Sequence, residues 1–361
     1  MSSSTLPVID ISSLSRGDDP TAVARALRAA CVESGFFYVS GHGVPAGLLP
    51  RLESLSRAFF ARPLEEKNRI RMELGGRAWR GFFSQGSELT SGQPDQKEGL
   101  YFGAELSSDH PDVAMGLPLH GANLFPDVDG FRSTVLEVLS ALTELGHLVM
   151  RGLSISLDLD PAYFHDRCTK DPLVLFRIFN YPHLGAQRDP GHWGVGEHTD
   201  YGLLTLLYQD ESGGLEVRSP RGWISAPPLP GTFVCNIGDM LERMTGGHFR
   251  STPHRVRNDS PQDRLSAAFF FDPNFHARIE PIPGYGDRAD PSDVEGRWDQ
   301  ASVHAFEGTY GDYLLAITPR PESPLARKLT GQRPFRAPHS EPGRLWTPSR
   351  AGSLRTSLRR R

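Results

Sequence analysis

The 361-residue chain predicts a mixed α+β fold, a double-sheet jelly roll with helices packed outside it. Two observations carry this expectation. From about residue 173, short runs of Val, Ile, Leu, Phe and Thr alternate with Gly, Pro and Asp clusters at close intervals, the texture of an all-β sandwich or barrel rather than of βαβ units. Before that point, apolar residues recur every three or four positions over long segments, as amphipathic helices require.

Taken in order, residues 6–11 open with a β-like run, and Val23, Leu27, Ala30 and Cys31 mark one face of a helix over 20–34. Gly35 leads into Phe36-Phe37-Tyr38-Val39, an aromatic and β-branched strand that ends at Gly41. Helical patterning returns over 48–60 and 63–71. Residues 77–104, including RGFFSQGSELTSG, read as loop. The clearest helix covers 131–157, where Val135, Val138, Leu139, Leu142, Leu145, Val149 and Leu153 keep the helical interval. Strands are expected at 173–181, 203–208, 215–217, 223–225, 232–237, 254–257 and 265–271.

The chain thus divides into a mixed α/β region (1–130), bracing helices (131–172), the β core (173–282), a helical closure (283–330) and a tail (331–361). The tail holds eight arginines against one glutamate and no apolar periodicity, so it is expected to be disordered.

Charge and composition narrow the function. Net charge is −4, but without the tail the remaining residues carry about −11, which argues against broad nucleic-acid binding. No apolar run approaches the roughly 20 residues of a membrane helix, and the first residues lack a basic start and an apolar signal core. Cys31, Cys168 and Cys235 are odd in number and match no CxxC spacing, which suits a reducing compartment. A monomeric cytoplasmic protein with a small-molecule substrate is the expectation.

Three residues stand out for chemistry: His198 and Asp200 in EHTDYG, and His254 in STPHRV. On an extended segment His-x-Asp places both side chains on one sheet face. A histidine from a strand further along completes two imidazoles and one carboxylate on a single face of a metal, the facial triad of non-haem Fe(II) oxygenases. With 13 histidines in the chain, a chance His-x-Asp pair is the competing reading.

Context favours the metal. Arg264 and Ser266 follow on the next strand with Leu265 facing away, placing a guanidinium and a hydroxyl where the metal would lie; the alternative is a surface arginine paired with Asp263. A buried guanidinium wants a carboxylate, which it grips through two parallel hydrogen bonds. Tyr181 is placed to add a phenolic hydrogen bond. Phe82, Phe83, Tyr101 and Phe102 are candidate pocket walls, joined by Phe269 and Phe271 from a strand whose aromatics alternate faces. Residues 236–239 and Gly213-Gly214 read as turns.

Tyr181-Pro182, His198-Thr199-Asp200, Gly213-Gly214-Leu215-Glu216-Val217, Asn236-Ile237-Gly238-Asp239, His254-Arg255-Val256 and Arg264-Leu265-Ser266 together resemble the isopenicillin N synthase family of Fe(II)- and 2-oxoglutarate-dependent oxygenases. PVIDIS, GFFYVSGHGV and LEEKNRI resemble its N-terminal region, so the similarity spans about residues 6–320.

The resemblance implies a distorted double-stranded β-helix core of jelly-roll, cupin-like form, with His198, Asp200 and His254 as iron ligands. It implies further that Arg264, Ser266 and Tyr181 bind a carboxylate, usually that of 2-oxoglutarate. Two departures are visible. Aligned on Tyr-Pro, Phe179 occupies the place of an asparagine common among relatives, which leaves Asn180 without that role. The Arg-x-Ser pair also resembles the one isopenicillin N synthase uses for a substrate carboxylate, and some relatives use ascorbate.

Three functions follow from this reading. The first is a dioxygenase that hydroxylates, desaturates or cyclises a small, partly apolar metabolite while 2-oxoglutarate and dioxygen yield succinate and CO2. The second is an Fe(II) oxidase independent of 2-oxoglutarate. The third is a β-barrel binding module without catalysis. Because the chemistry belongs to the iron, no side-chain general base is needed.

Overall fold

Strand pairing in the computed structural model, which describes residues 5–90, 93–183, 193–219, 222–285, 304 and 306–317, sorts the interior into two sheets. In chain order the strands are β1 (Val8–Asp10), β2 (Phe36–Ser40), β3 (Gly81–Phe83), β4 (Leu89–Thr90), β5 (Gln93–Pro94), β6 (Glu98–Gly103) and β7 (Leu173–Tyr181). They continue as β8 (Val195–His198), β9 (Leu204–Gln209), β10 (Leu215–Ser219), β11 (Gly222–Ser225), β12 (Phe233–Ile237), β13 (His254–Val256) and β14 (Arg264–Asp272). The larger sheet runs β1-β2-β12-β9-β14-β7-β6-β3 and the smaller β11-β10-β13-β8, while β4 and β5 form a separate hairpin. Among these described strands only β1 and β2 pair in parallel.

Residues of both sheets share one buried cluster, with Tyr101, Phe179 and Tyr181 from the larger and Val195, Val217 and Val256 from the smaller. This is the two-sheet jelly roll the sequence predicts. The other face of the larger sheet carries the helices. On β7, Phe176 and Ile178 point that way while Phe179 and Tyr181 point into the barrel region, as period two requires.

The helices are α1 (Ser12–Arg16), α2 (Thr21–Glu33), α3 (Leu48–Phe60), α4 (Leu64–Lys67), α5 (Pro111–Ala114), α6 (Phe131–Ser156), α7 (Asp239–Met244) and α8 (Tyr310–Ile317). The seven apolar residues that predict α6 are all buried, against α2, α3, β9 and β14. At Gly146 the helix comes so close to the sheet that a Cβ would stand 2.3 Å from the Phe271 ring.

By length and composition α6 would also cross a membrane, which corrects the expectation that no segment comes near that size. Its apolar stripe is instead spent on the protein core.

Two further differences have physical causes. Residues 77–104 are not a loop, because β3 and β6 extend the larger sheet through β7. β6 shows no polar alternation in the sequence because all six of its residues are buried, Glu98 through an ion pair with Lys67 at 2.7 Å. The N-terminal region also shares the core sheet, since β2 lies between β1 and β12. The tail 331–361 lies outside the described residues, as does most of 283–330.

Candidate active site

His198 ends β8 and His254 begins β13, and the register sets them opposite one another. Asp200 lies two residues beyond the first. Each histidine turns its Nδ1 back to a carbonyl two residues earlier: His198 to Gly196 at 2.8 Å and His254 to Thr252 at 3.2 Å. Nδ1–H donation fixes the tautomer and leaves both Nε2 lone pairs free. Asp200 turns Oδ1 toward them, 3.9 Å from His198 Nε2 and 3.8 Å from His254 Nε2. All three ligand atoms lie within 4.8 Å of one another, too far apart for hydrogen bonds yet close enough to share an ion.

The second carboxylate oxygen is spoken for. Asp200 Oδ2 accepts Thr205 Oγ1 at 2.6 Å and Asn236 Nδ2 at 2.7 Å. Burial alone would raise this carboxyl, but His254, His198 and those two donors outweigh burial and hold it below the ordinary range. Burial first, then His254, push His198 down to about 3, so it stays a neutral imidazole at physiological pH. Two imidazole nitrogens and one carboxylate oxygen, gathered within 4.8 Å of one another, fit a divalent iron.

Arg264 begins β14 and is fully buried. Its Nε donates to the Gly213 carbonyl, its Nη2 to Gln209 Oε1 at 3.1 Å, and its guanidinium lies 4.7 Å from the Tyr181 ring centroid. The Gly213-Gly214 turn sets that carbonyl, with φ of 72° and 89°; a Cβ on Gly214 would stand 1.9 Å from the Arg257 carbonyl oxygen. Nη1 of Arg264 is buried without any partner. Ser266, two residues further along the same strand, has its Oγ 3.4 Å from the Tyr181 hydroxyl. A carboxylate fits this group of donors, because an orphaned buried guanidinium nitrogen is costly without one.

Not every sequence candidate comes to this place. Phe83 and Tyr101 join the interior cluster, their rings 5.0 Å apart. Phe82 and Phe102 face the helices instead, Phe82 against Phe59 and Phe102 against Phe125 and Phe131. Phe269 and Phe271 are likewise corrected. Counting by twos from Arg264 brings Ser266, Ala268 and Phe270 inward, while Phe269 packs on Phe176 and Phe271 against α6. Asn180 also faces away, donating to Glu98 Oε1 at 3.1 Å.

The sequence reading missed Asn236 and Thr205. Asn236 is no turn residue but lies in β12, opposite Thr205 of β9, and both clamp Asp200.

Comparison with known proteins places this arrangement. Residues 6–128 match the family model described as non-haem dioxygenase in morphine synthesis N-terminal, and residues 173–273 match that of the 2OG-Fe(II) oxygenase superfamily. A probable iron/ascorbate oxidoreductase of Dictyostelium discoideum is 49% identical over 336 residues, covering 86% of this chain and 93% of the relative. A homoarginine-6-hydroxylase of Arabidopsis thaliana is 39% identical over 295 residues, covering 77% and 87%. Among solved structures, a full-length Neurospora crassa protein in complex with alpha-KG and thymine superposes with a TM-score of 0.69 at 29% identity, covering 90% of this chain and 96% of that one.

Proposed function

The chain belongs to the 2OG-Fe(II) oxygenase superfamily, and from that premise we propose that His198, Asp200 and His254 hold the iron while Arg264, with Ser266 and Tyr181, grips the far carboxylate of 2-oxoglutarate. The chain is an oxidoreductase that uses Fe(II) and 2-oxoglutarate on a small-molecule substrate. The observation that carries the residue assignment is the unpartnered, buried Nη1 of Arg264 in a barrel that also brings two free Nε2 atoms to Asp200 Oδ1.

Iron and 2-oxoglutarate together supply activation of dioxygen and oxidation of a substrate C–H bond, with succinate and CO2 released. The protein's share is placement. Gly196 and Thr252 carbonyls aim the imidazoles, Thr205 and Asn236 hold the carboxylate in one rotamer, and Gln209 and Gly213 fix the guanidinium. Ascorbate, which the name of one relative mentions, would serve as a reductant for the same iron. In this reading 173–282 is the catalytic core and 1–130 its buttress. The enzyme works as a monomer in the cytoplasm, where its three buried, unpaired thiols stay reduced.

The test is an anaerobic Fe(II) titration beside succinate release from 2-oxoglutarate. His198→Ala, Asp200→Ala and His254→Ala should each abolish iron binding and succinate formation while keeping a cooperative unfolding transition. One of them binding iron as wild type does would remove that residue from the ligand set.

A further inference from the structure

The geometry points to Arg177 as the residue that grips a carboxylate of the substrate, and so to a small carboxylic acid as the substrate class; this rests on the cofactor reading above. Arg177 sits on β7, opposite Ala268 of β14 and Tyr101 of β6, on the same face as Phe179 and Tyr181. Its guanidinium carbon lies 4.5 Å from the Tyr101 ring centroid and 4.9 Å from that of Phe270, and the residue is only half-buried. Two aromatic rings therefore steady an arginine that is not fully buried.

Among the described residues, no oxygen accepts a hydrogen bond from Arg177 and no carboxylate pairs with it, although acidic groups stand near. Asp272 is one of them, its Oδ2 taking the Tyr310 hydroxyl at 2.7 Å, and the acids beside Tyr101 and the triad are engaged elsewhere. Glu88 takes the Tyr101 hydroxyl and Lys97 Nζ, the latter at 3.0 Å. Asp95 takes Lys97 at 2.6 Å and the Thr90 hydroxyl at 2.8 Å. Asp200 is committed to Thr205, Asn236 and the imidazole pair. The N–H donors of its rigid fork thus have no acceptor among the described residues, and the group that matches such a fork is a carboxylate.

This carboxylate is not that of 2-oxoglutarate. Arg264 is opposite Tyr181, and Arg177 lies four residues back along β7, roughly 13 Å away at the rise of an extended strand. The triad lies beside Arg177's clamp, because Phe270 pairs with Thr205, the residue whose hydroxyl holds Asp200. A substrate anchored at Arg177, with its body against Phe83, Phe179 and Phe270, would present a C–H bond toward the ligand atoms from the side opposite Arg264.

The experiment uses the anaerobic enzyme loaded with Fe(II) and 2-oxoglutarate. It is titrated with a panel of aliphatic, aromatic and amino monocarboxylic acids, each beside its primary amide, and binding is read as thermal stabilisation. At least one acid should bind wild type while its amide does not. Arg177→Gln should weaken that acid by roughly 100-fold, the loss of a paired, charge-assisted contact, and Arg177→Lys should recover part of it. The 2-oxoglutarate affinity of both variants should match wild type, which also certifies their folding.

Equal binding of acid and amide, an unchanged affinity in Arg177→Gln, or a panel with no binding acid would each overturn the assignment. Failure of wild type to bind iron or 2-oxoglutarate would strike the cofactor reading instead. In that event the same acid and amide pairs, titrated into the metal-free protein, still decide the role of Arg177.

Discussion

Replacing Asn236 with alanine removes one of the two donors on Asp200 Oδ2 and leaves Thr205 at 2.6 Å to hold it alone. Asn236 is 3% exposed, so solvent does not readily take the vacated place. A hydrogen bond to a charged acceptor contributes about 1.5–3 kcal/mol, and the metal-free protein should lose that much in equilibrium unfolding by urea. Iron affinity should fall less than on loss of a ligand, by about 10–100-fold, because the carboxylate remains but its rotamer loosens.

The pH dependence has a definite sign. Asp200 is held below the ordinary carboxylate range, in part by Asn236. Stability from a depressed carboxyl is fully present above its unfolded-state value and is lost as the pH falls through the folded-state value. The wild-type advantage over Asn236→Ala should therefore be complete at neutral pH and vanish in acid. Thr205→Val should behave alike, and the double variant should depart from additivity because the two donors share one acceptor. If both single variants bind iron within a factor of about two of wild type, below the range for such outer contacts, the clamp does not position Asp200.

Arg264→Lys should raise the Michaelis constant for 2-oxoglutarate far more than Ser266→Ala, since lysine keeps the charge but loses the fork and its place over Tyr181; steady-state succinate release measures both, and equal small effects would exclude this site. Asp272→Asn should flatten the stability profile in acid to neutral buffer. Burial above all, and also Asp200, raise Asp272 to about 7, so wild type should lose stability, on the order of 3–4 kcal/mol, as the pH climbs from its unfolded value toward 7. Urea unfolding across that range reads the slope, and a flat wild-type profile would refute the burial of a protonated Asp272.

The parts of the site that the sequence discloses are those whose chemistry constrains neighbours along the chain. His198 and Asp200 must be two apart to share a face, and Arg264 and Ser266 obey the same rule. The same rule also contained Phe270, since the alternation that turns Arg264 inward turns Phe269 and Phe271 outward once the count is carried along the whole strand.

Other residues left no local trace. Asn236 reaches Asp200 across 36 positions of sequence, and its Asn-Ile-Gly-Asp setting imitates a turn. Arg177 looks like one more charged residue on a strand until Tyr101 and Phe270 close around it. Helices such as α6 were legible because burying one face repeats every turn, whereas β6, covered on both faces, offers no period to read.

The insertion of β2 between β1 and β12 has a bearing on how this chain can be cut or recombined. Phe36 on β2 pairs with Asn236 and meets the His254 ring edge-on at 5.2 Å, so a segment far upstream walls a metal ligand. A fragment starting at residue 173 would carry all three triad residues and Arg264, yet expose β12 as a long apolar edge without its neighbour. Shuffling the first third among relatives would likewise change the wall behind His254. For protein engineers, the smallest unit that can be moved intact runs from β1 through β14.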